Sequence, residues 1–187
     1  INAANSVRGK PPLILRRDQA YIGIMIDDLV TREVTEPYRL FTSRAEYRLL
    51  LRQDNANLRL SAIGFEAGLI DAERYRAVET KMEAIARETK RLERTYFTPT
   101  GDTQSLSAAV FLRRPGVEYE TLVSLGLGAV DLSPEVKEQV EIEIKYQGYM
   151  ERQKKEVARV HRLEERHIPA GMDYARLSGL RTEACQK

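Results

Sequence analysis

The sequence predicts a mainly α-helical protein, with a mixed junction segment over residues 1–60 and an all-helical domain over residues 61–187. Two observations carry this expectation. Tyr75, Val78, Met82, Ile85, Thr89 and Leu92 recur at alternating steps of three and four, an apolar stripe sustained over six turns. Ser133-Pro134 then opens a second helical run that reaches about Arg166, with serine as the cap and proline where its missing N–H costs nothing.

Taken in order, Pro11-Pro12 ends an initial helical stretch, and Leu13-Ile14-Leu15 suits a strand or a packed connector. Tyr21 to Thr31 carries a helical stripe in Ile22, Met25, Ile26 and Leu29. Residues 43–52 fit either of two elements. Ser43 with Glu46 reads as a capping box, and Arg44, Arg48 and Arg52 then share one helix face. The same residues also alternate, with Ala45, Tyr47, Leu49 and Leu51 opposite the charges, as a half-buried strand does. In both cases the arginines lie on one side.

Asp71 is the expected N-cap of the first long helix. Tyr96 to Gln104, with Pro99 and Gly101, reads as a loop. Short helices follow from Ser105 to about Arg113 and from about Tyr119 to Leu125, ended by Pro115-Gly116 and by Gly126. The second long helix spans roughly 50 Å. It carries one stripe in Ile142, Tyr146, Tyr149, Gln153, Val157, Val160 and Leu163, and another in Val136, Val140 and Ile144. Its acidic start and its basic end, including Lys154 and Lys155, complement the helix dipole and also offer a basic patch to RNA. The terminal segment is amphipathic through Tyr174, Leu177, Leu180 and Ala184.

Composition narrows the function classes. A single cysteine, Cys185, excludes an internal disulfide and a cysteine-based metal site. No apolar run approaches the length of a membrane span and no leader is visible, so a cytoplasmic protein is expected. With a formal net charge of +2, local patches must carry any nucleic-acid argument. His161 and His167 lie six apart without carboxylates in ligand spacing, so no metal site is predicted. No catalytic constellation is visible. Asp27-Asp28 diverge by about 100° on a helix, which assigns them to solvent or capping rather than acid–base work. Gly148, flanked by Tyr146 and Tyr149 inside a helix, suits the close approach of another helix or of an RNA backbone. Arg39, Arg44, Arg48 and Arg52 are the candidate RNA contacts, because guanidinium forks match phosphate at any working pH. Ion pairs with Glu36, Glu46 and Asp54 are the alternative.

The run from Pro37 to Leu60, PYRLFTSRAEYRLLLRQDNANLRL, resembles a stretch of the MnmG (GidA) family of flavin-dependent tRNA-modifying enzymes. Asp18-Gln19-Ala20-Tyr21-Ile22-Gly23, Asp27-Asp28-Leu29-Val30-Thr31, Glu143 to Tyr149 (EIKYQGY), Ile168-Pro169 and Asp173-Tyr174 resemble other blocks of that family, so the resemblance spans the chain. Glu33-Val34-Thr35 and Asn57 depart from it at sites read as loops.

The resemblance implies an enzyme that uses FAD and NAD(P)H, with methylene-tetrahydrofolate, to modify wobble uridine in tRNA. It implies a homodimer that works with an MnmE-type GTPase. The family holds its flavin on a Rossmann-type domain, and no Gly-x-Gly-x-x-Gly occurs here. Ile1-Asn2-Ala3-Ala4 resembles the tail of that domain, which makes Asn2 a candidate cofactor contact. The segment alone is then expected to be inactive. Its expected work is partner docking, through Tyr146, Tyr149, Tyr174, Leu177 and Leu180, and tRNA binding, through the four arginines with Lys154 and Lys155. The alternative is a structural scaffold at a domain or dimer interface. Without the flavin domain, apolar surface at Leu13–Leu15 and Ile22–Met25 is expected to be exposed.

Overall fold

The structure, a computed structural model, describes residues 1–32, 36–167 and 171. It contains two compact units, residues 1–153 and residues 154–187. Ile168, Pro169 and the terminal residues Tyr174, Leu177 and Leu180 lie outside the described residues, as do Glu33-Val34-Thr35.

The first unit opens with helix α1 (Asn2–Val7) and an extended connector. The Asn2 amide donates to the Leu13 carbonyl at 2.9 Å and accepts from the Leu13 N–H at 2.7 Å, closing the connector onto α1. Leu13-Ile14-Leu15 is therefore a connector and not a strand. Helix α2 (Tyr21–Thr31) has the predicted bounds but the opposite buried face. Gly23, Ile24 and Asp28 are buried, while Ile22, Ile26 and Leu29 are exposed.

Gly23 explains the inversion. A Cβ at that position would lie 2.3 Å from the Arg16 carbonyl oxygen and 2.5 Å from that of Leu15. Only a bare backbone admits the connector this closely. Gly23→Ala is expected to push α2 off residues 15–16, an overpacking cost of about 1–3 kcal/mol or more. Limited proteolysis should then cut within residues 1–32 and leave the helical part resistant. Unchanged protection would contradict the packing.

Helix α3 (Ala56–Glu66) leads to α4 (Ala72–Arg94), where the Asp71 side chain accepts from the Arg74 N–H at 2.8 Å as its composition predicts. Residues 96–104 are not wholly loop. Strand β1 (Tyr96–Phe97) pairs antiparallel with β2 (Leu106–Ser107), Tyr96 opposite Ser107 and Phe97 opposite Leu106. This hairpin delays the next helix, α5 (Ala108–Leu112), which starts behind a Ser107 cap instead of at Ser105. Helices α6 (Tyr119–Ser124) and α7 (Pro134–Glu164) complete the described elements.

One core joins these helices. Ile85 and Leu92 from α4, Ala108, Ala109 and Leu112 from α5, Tyr119 and Leu122 from α6, and Val136, Val140 and Ile144 from α7 form a continuous cluster. Met82 sits on the predicted stripe of α4 yet is exposed. A polar knot is embedded beside the cluster. The Glu88 carboxylate accepts both guanidinium arms of Arg91 at 2.7 Å and the Tyr119 hydroxyl at 2.6 Å, and that hydroxyl accepts the Ala129 N–H at 3.0 Å. Burial opposes the Glu88 charge, but the bonds from Arg91 and Tyr119 prevail and its pKa falls. The Tyr119 phenol shifts upward, through burial first and then its bond to Glu88.

Of the two stripes on α7, only Val136, Val140 and Ile144 face the core. Tyr146 and Tyr149 are exposed.

Candidate nucleic-acid interface

The arginine-rich segment is neither a helix nor a strand. A 3₁₀ turn at Thr42–Arg44 is followed by turns through Leu50, in which the Tyr47 carbonyl accepts the N–H groups of both Leu50 and Leu51. Ala45, Tyr47 and Leu51 are buried, a spacing of two and then four that matches no single regular element. The three arginines therefore do not form one row.

Two ion-pair hubs determine this path. At the first, the wholly buried Asp28 carboxylate accepts from Arg17 Nη1 at 2.8 Å, from the Tyr38 hydroxyl at 2.9 Å and from Arg44 Nη1 at 3.3 Å. Arg32 lies 3.2 Å away on the same carboxylate. Arg17 also holds Glu46 through two bonds, at 2.7 and 3.0 Å, and donates to Asp27 and to the Arg44 carbonyl. Glu46 is thus an ion-pair partner and not part of a capping box. Burial alone would raise the Asp28 pKa, but hydrogen bonds from Arg17, Tyr38 and Arg44 overcome it and bring the value to about 2. The bond to Glu46 is the largest influence raising the Arg17 pKa further, and burial opposes it.

At the second hub, Arg52 grips Asp54 through Nε at 3.1 Å and donates to the Leu49 carbonyl at 2.7 Å. Asp54 in turn accepts from the Gln139 amide of α7 at 2.7 Å. Arg59 binds the carbonyls of Gln19 and Arg52, and Gln153 donates to the Glu46 carbonyl at 3.2 Å. Glu46 and Asp54 therefore tie the arginine-rich segment to α7 by polar bonds.

The candidate arginines separate accordingly. Arg44, which also stacks over the Tyr38 ring at 5.1 Å, and Arg52 are structural. Arg39 and Arg48 are exposed, with no hydrogen bond or ion pair to any described residue. Phe41 is exposed as well, while Tyr47 is core. Lys154 and Lys155 are exposed in the second unit. Asn2 uses both ends of its amide within the chain, a geometry that does not suit a cofactor contact.

Sequence reasoning missed Arg17 altogether and assigned Asp28 to solvent or capping. The only available signal was the coexistence of Arg16-Arg17 and Asp27-Asp28, which becomes a pair only once the connector folds back on α2. Among the described residues, no cluster of His, Cys, Asp and Glu is placed to hold a metal, and no helix is long and apolar enough to cross a membrane.

Comparison with known proteins places this geometry. Residues 72–154 match the tRNA modifying enzyme MnmG/GidA C-terminal helical domain. The whole chain aligns at 49% identity with tRNA uridine 5-carboxymethylaminomethyl modification enzyme MnmG of Geobacillus thermodenitrificans, over 32% of that protein. It aligns at 50% with the enzyme of the same name from Roseiflexus castenholzii, over 29% of its length. The chain thus spans about a third of the length of these curated relatives. The form II crystal structure of Aquifex aeolicus GidA superposes with a TM-score of 0.82 at 42% identity, covering 99% of this chain and 30% of that one. With α4, the buried core and the hairpin falling inside residues 72–154, the chain belongs to the MnmG/GidA family and contains the family's C-terminal helical domain.

Proposed function

We propose that this chain is the tRNA-binding and partner-docking portion of an FAD-dependent enzyme that modifies wobble uridine, working with an MnmE-type GTPase. The observation that carries the reading is the exposure of Arg39 and Arg48 on a segment anchored by the Arg44–Asp28, Arg17–Glu46 and Arg52–Asp54 ion pairs. Two exposed guanidinium groups on an anchored backbone segment can neutralise phosphates of an RNA strand. FAD and NAD(P)H belong to the complete enzyme, a cytoplasmic homodimer, and no residue of this chain is assigned a step in the reaction. Its own side chains bind and orient. Docking of the GTPase is assigned to the amphipathic terminal segment around Tyr174, Leu177 and Leu180, whose pattern suits a helix-in-groove contact.

The test is calorimetric titration with tRNA and, separately, with the GTPase at two salt concentrations. Arg39→Ala with Arg48→Ala is expected to weaken tRNA binding roughly tenfold and to lower the salt slope by about 2, without changing stability. Affinity and slope equal to those of the unsubstituted chain would refute the assignment.

A structural scaffold is the second reading, and one observation favours it. Val7, Ile14, Ile22, Ile26 and Val30 are exposed. Some of these residues line an apolar cleft of about 410 Å³ with Leu13 and Leu15. The exposure expected at Leu13–Leu15 and Ile22–Met25 is partial: Ile14 and Ile22 are open, whereas Leu13, Leu15 and Met25 are half-buried and Ile24 is fully buried. Such a face suits burial against further chain of the same enzyme.

A further inference from the structure

A cleft of about 450 Å³ lies along α7 where the helix leaves the core, with the core residue Ile144 at its edge. Arg113, Lys145, Gln147, Gly148, Tyr149 and Arg152 line it, with Glu151 contributing one carboxylate. The Arg113 guanidinium is fixed at the wall, donating to the Ile144 carbonyl at 3.1 Å and to the Gln147 side chain. The Arg152 guanidinium lies 5.3 Å from the centroid of the exposed Tyr149 ring, and Tyr146 packs at an angle beside it, 6.5 Å between centroids. Lys145 is paired with Glu141 at 2.7 Å, so two arginines face one acid, Glu151, and the cleft favours an anion.

Gly148 supplies a second, independent observation. A Cβ built there meets nothing within 4 Å. Packing among the described residues therefore gives no reason for glycine in the middle of a 31-residue helix, where alanine would be the better helix former. Among the described residues, the bare backbone leaves the helix axis open to approach.

We propose that this cleft binds an unpaired ribonucleotide of an RNA, with its phosphate on Arg113 and Arg152, its backbone against Gly148 and its base layered on Tyr149. Cation, aromatic ring and open backbone together are what a splayed nucleotide requires. Two arginines at the cleft fit a phosphate better than a neutral helix face of a protein partner. The site extends the RNA-binding reading above and rests on it, but it is distinct from Arg39 and Arg48.

The experiment uses the 187-residue chain with a fluorescent anticodon stem-loop RNA and, as comparison, a fully paired hairpin of equal length, read by anisotropy. The stem-loop is expected to bind more tightly than the hairpin. Tyr149→Ala is expected to weaken stem-loop binding roughly tenfold, the usual size of one base–aromatic stack, and Gly148→Leu is expected to weaken it by blocking the approach to the backbone. Because the space at Gly148 is open, Gly148→Leu should melt no lower than the unsubstituted protein. Stem-loop affinity unchanged by Gly148→Leu would overturn the proposal, as would a loss of GTPase binding with RNA binding intact. If Arg39→Ala with Arg48→Ala weakens tRNA binding while Gly148→Leu does not, the cleft is refuted and the RNA-binding reading stands. Absence of RNA binding by the unsubstituted chain refutes both.

Discussion

Asp28→Ala should lower the unfolding free energy by about 3 kcal/mol, toward the low end for removing one partner from a buried ionic cluster. The carboxylate is inaccessible to water and is the common acceptor for Arg17, Tyr38 and Arg44. Its removal strands the Arg44 charge and the Tyr38 hydroxyl in a half-buried site, whereas Arg17 keeps Asp27 and Glu46. Urea denaturation measures the loss, and hydrogen exchange should place it first in residues 17–54. Tyr38→Phe, which removes one bond and no charge, should cost about 1 kcal/mol. Equal effects of the two substitutions would show that the hub is not held by charge.

The same hub gives a pH dependence. The Asp28 pKa falls from an ordinary 3.8 to about 2 in the folded chain. The folded state therefore binds fewer protons than the unfolded state between those values, and the stabilisation is fully present above pH ~4. It is lost as pH falls through about 2, and it amounts to roughly 2 kcal/mol. Stability of the native chain should decline between pH 4 and 2 more steeply than that of Asp28→Ala.

Leu92→Ala is expected to cost about 2–5 kcal/mol, because it empties the centre of the helical core. Leu92 has no accessible surface and belongs to the cluster that α5, α6 and α7 share with α4. The neighbours lie on α5, α6 and α7, and α4 is bound to α6 by the Glu88–Tyr119 knot and to α7 by the Lys81–Glu135 pair, so they cannot easily collapse into the void. Met82→Ala serves as the internal comparison, since Met82 lies on the same sequence stripe but is 45% exposed. It should cost less than about 0.5 kcal/mol. Thermal unfolding of both variants decides the point, and a Leu92→Ala effect as small as that of Met82→Ala would displace the core from this part of α4.

The two long helices were readable because their information is local. An aspartate before α4 and Ser133-Pro134 before α7 satisfy or dispense with orphan N–H groups within a few residues, whatever the rest of the chain does. Which stripe is buried is not local. Ile142, Tyr146 and Tyr149 continue as regular a stripe as Val136, Val140 and Ile144, but the partner helices cover only the first part of α7. The same ambiguity misled the reading of α2, whose exposed isoleucines form the better stripe and whose buried face is made by a glycine, one isoleucine and an aspartate.

The arginine-rich segment marks the boundary between the two kinds of information. Periodicity and capping signals determined that this chain is mainly helical, and the order of its residues showed that cations gather in residues 39–52 and which family those motifs resemble. Only the tertiary structure decided which arginines are available. Arg44 and Arg52 are held by Asp28 and Asp54, while Arg39 and Arg48 remain in solvent. An ion pair is a contact between residues brought together by folding, here 16 positions apart for Arg44 and Asp28. Periodicity reports which way side chains point along one element. It carries no information about a carboxylate that reaches them from another.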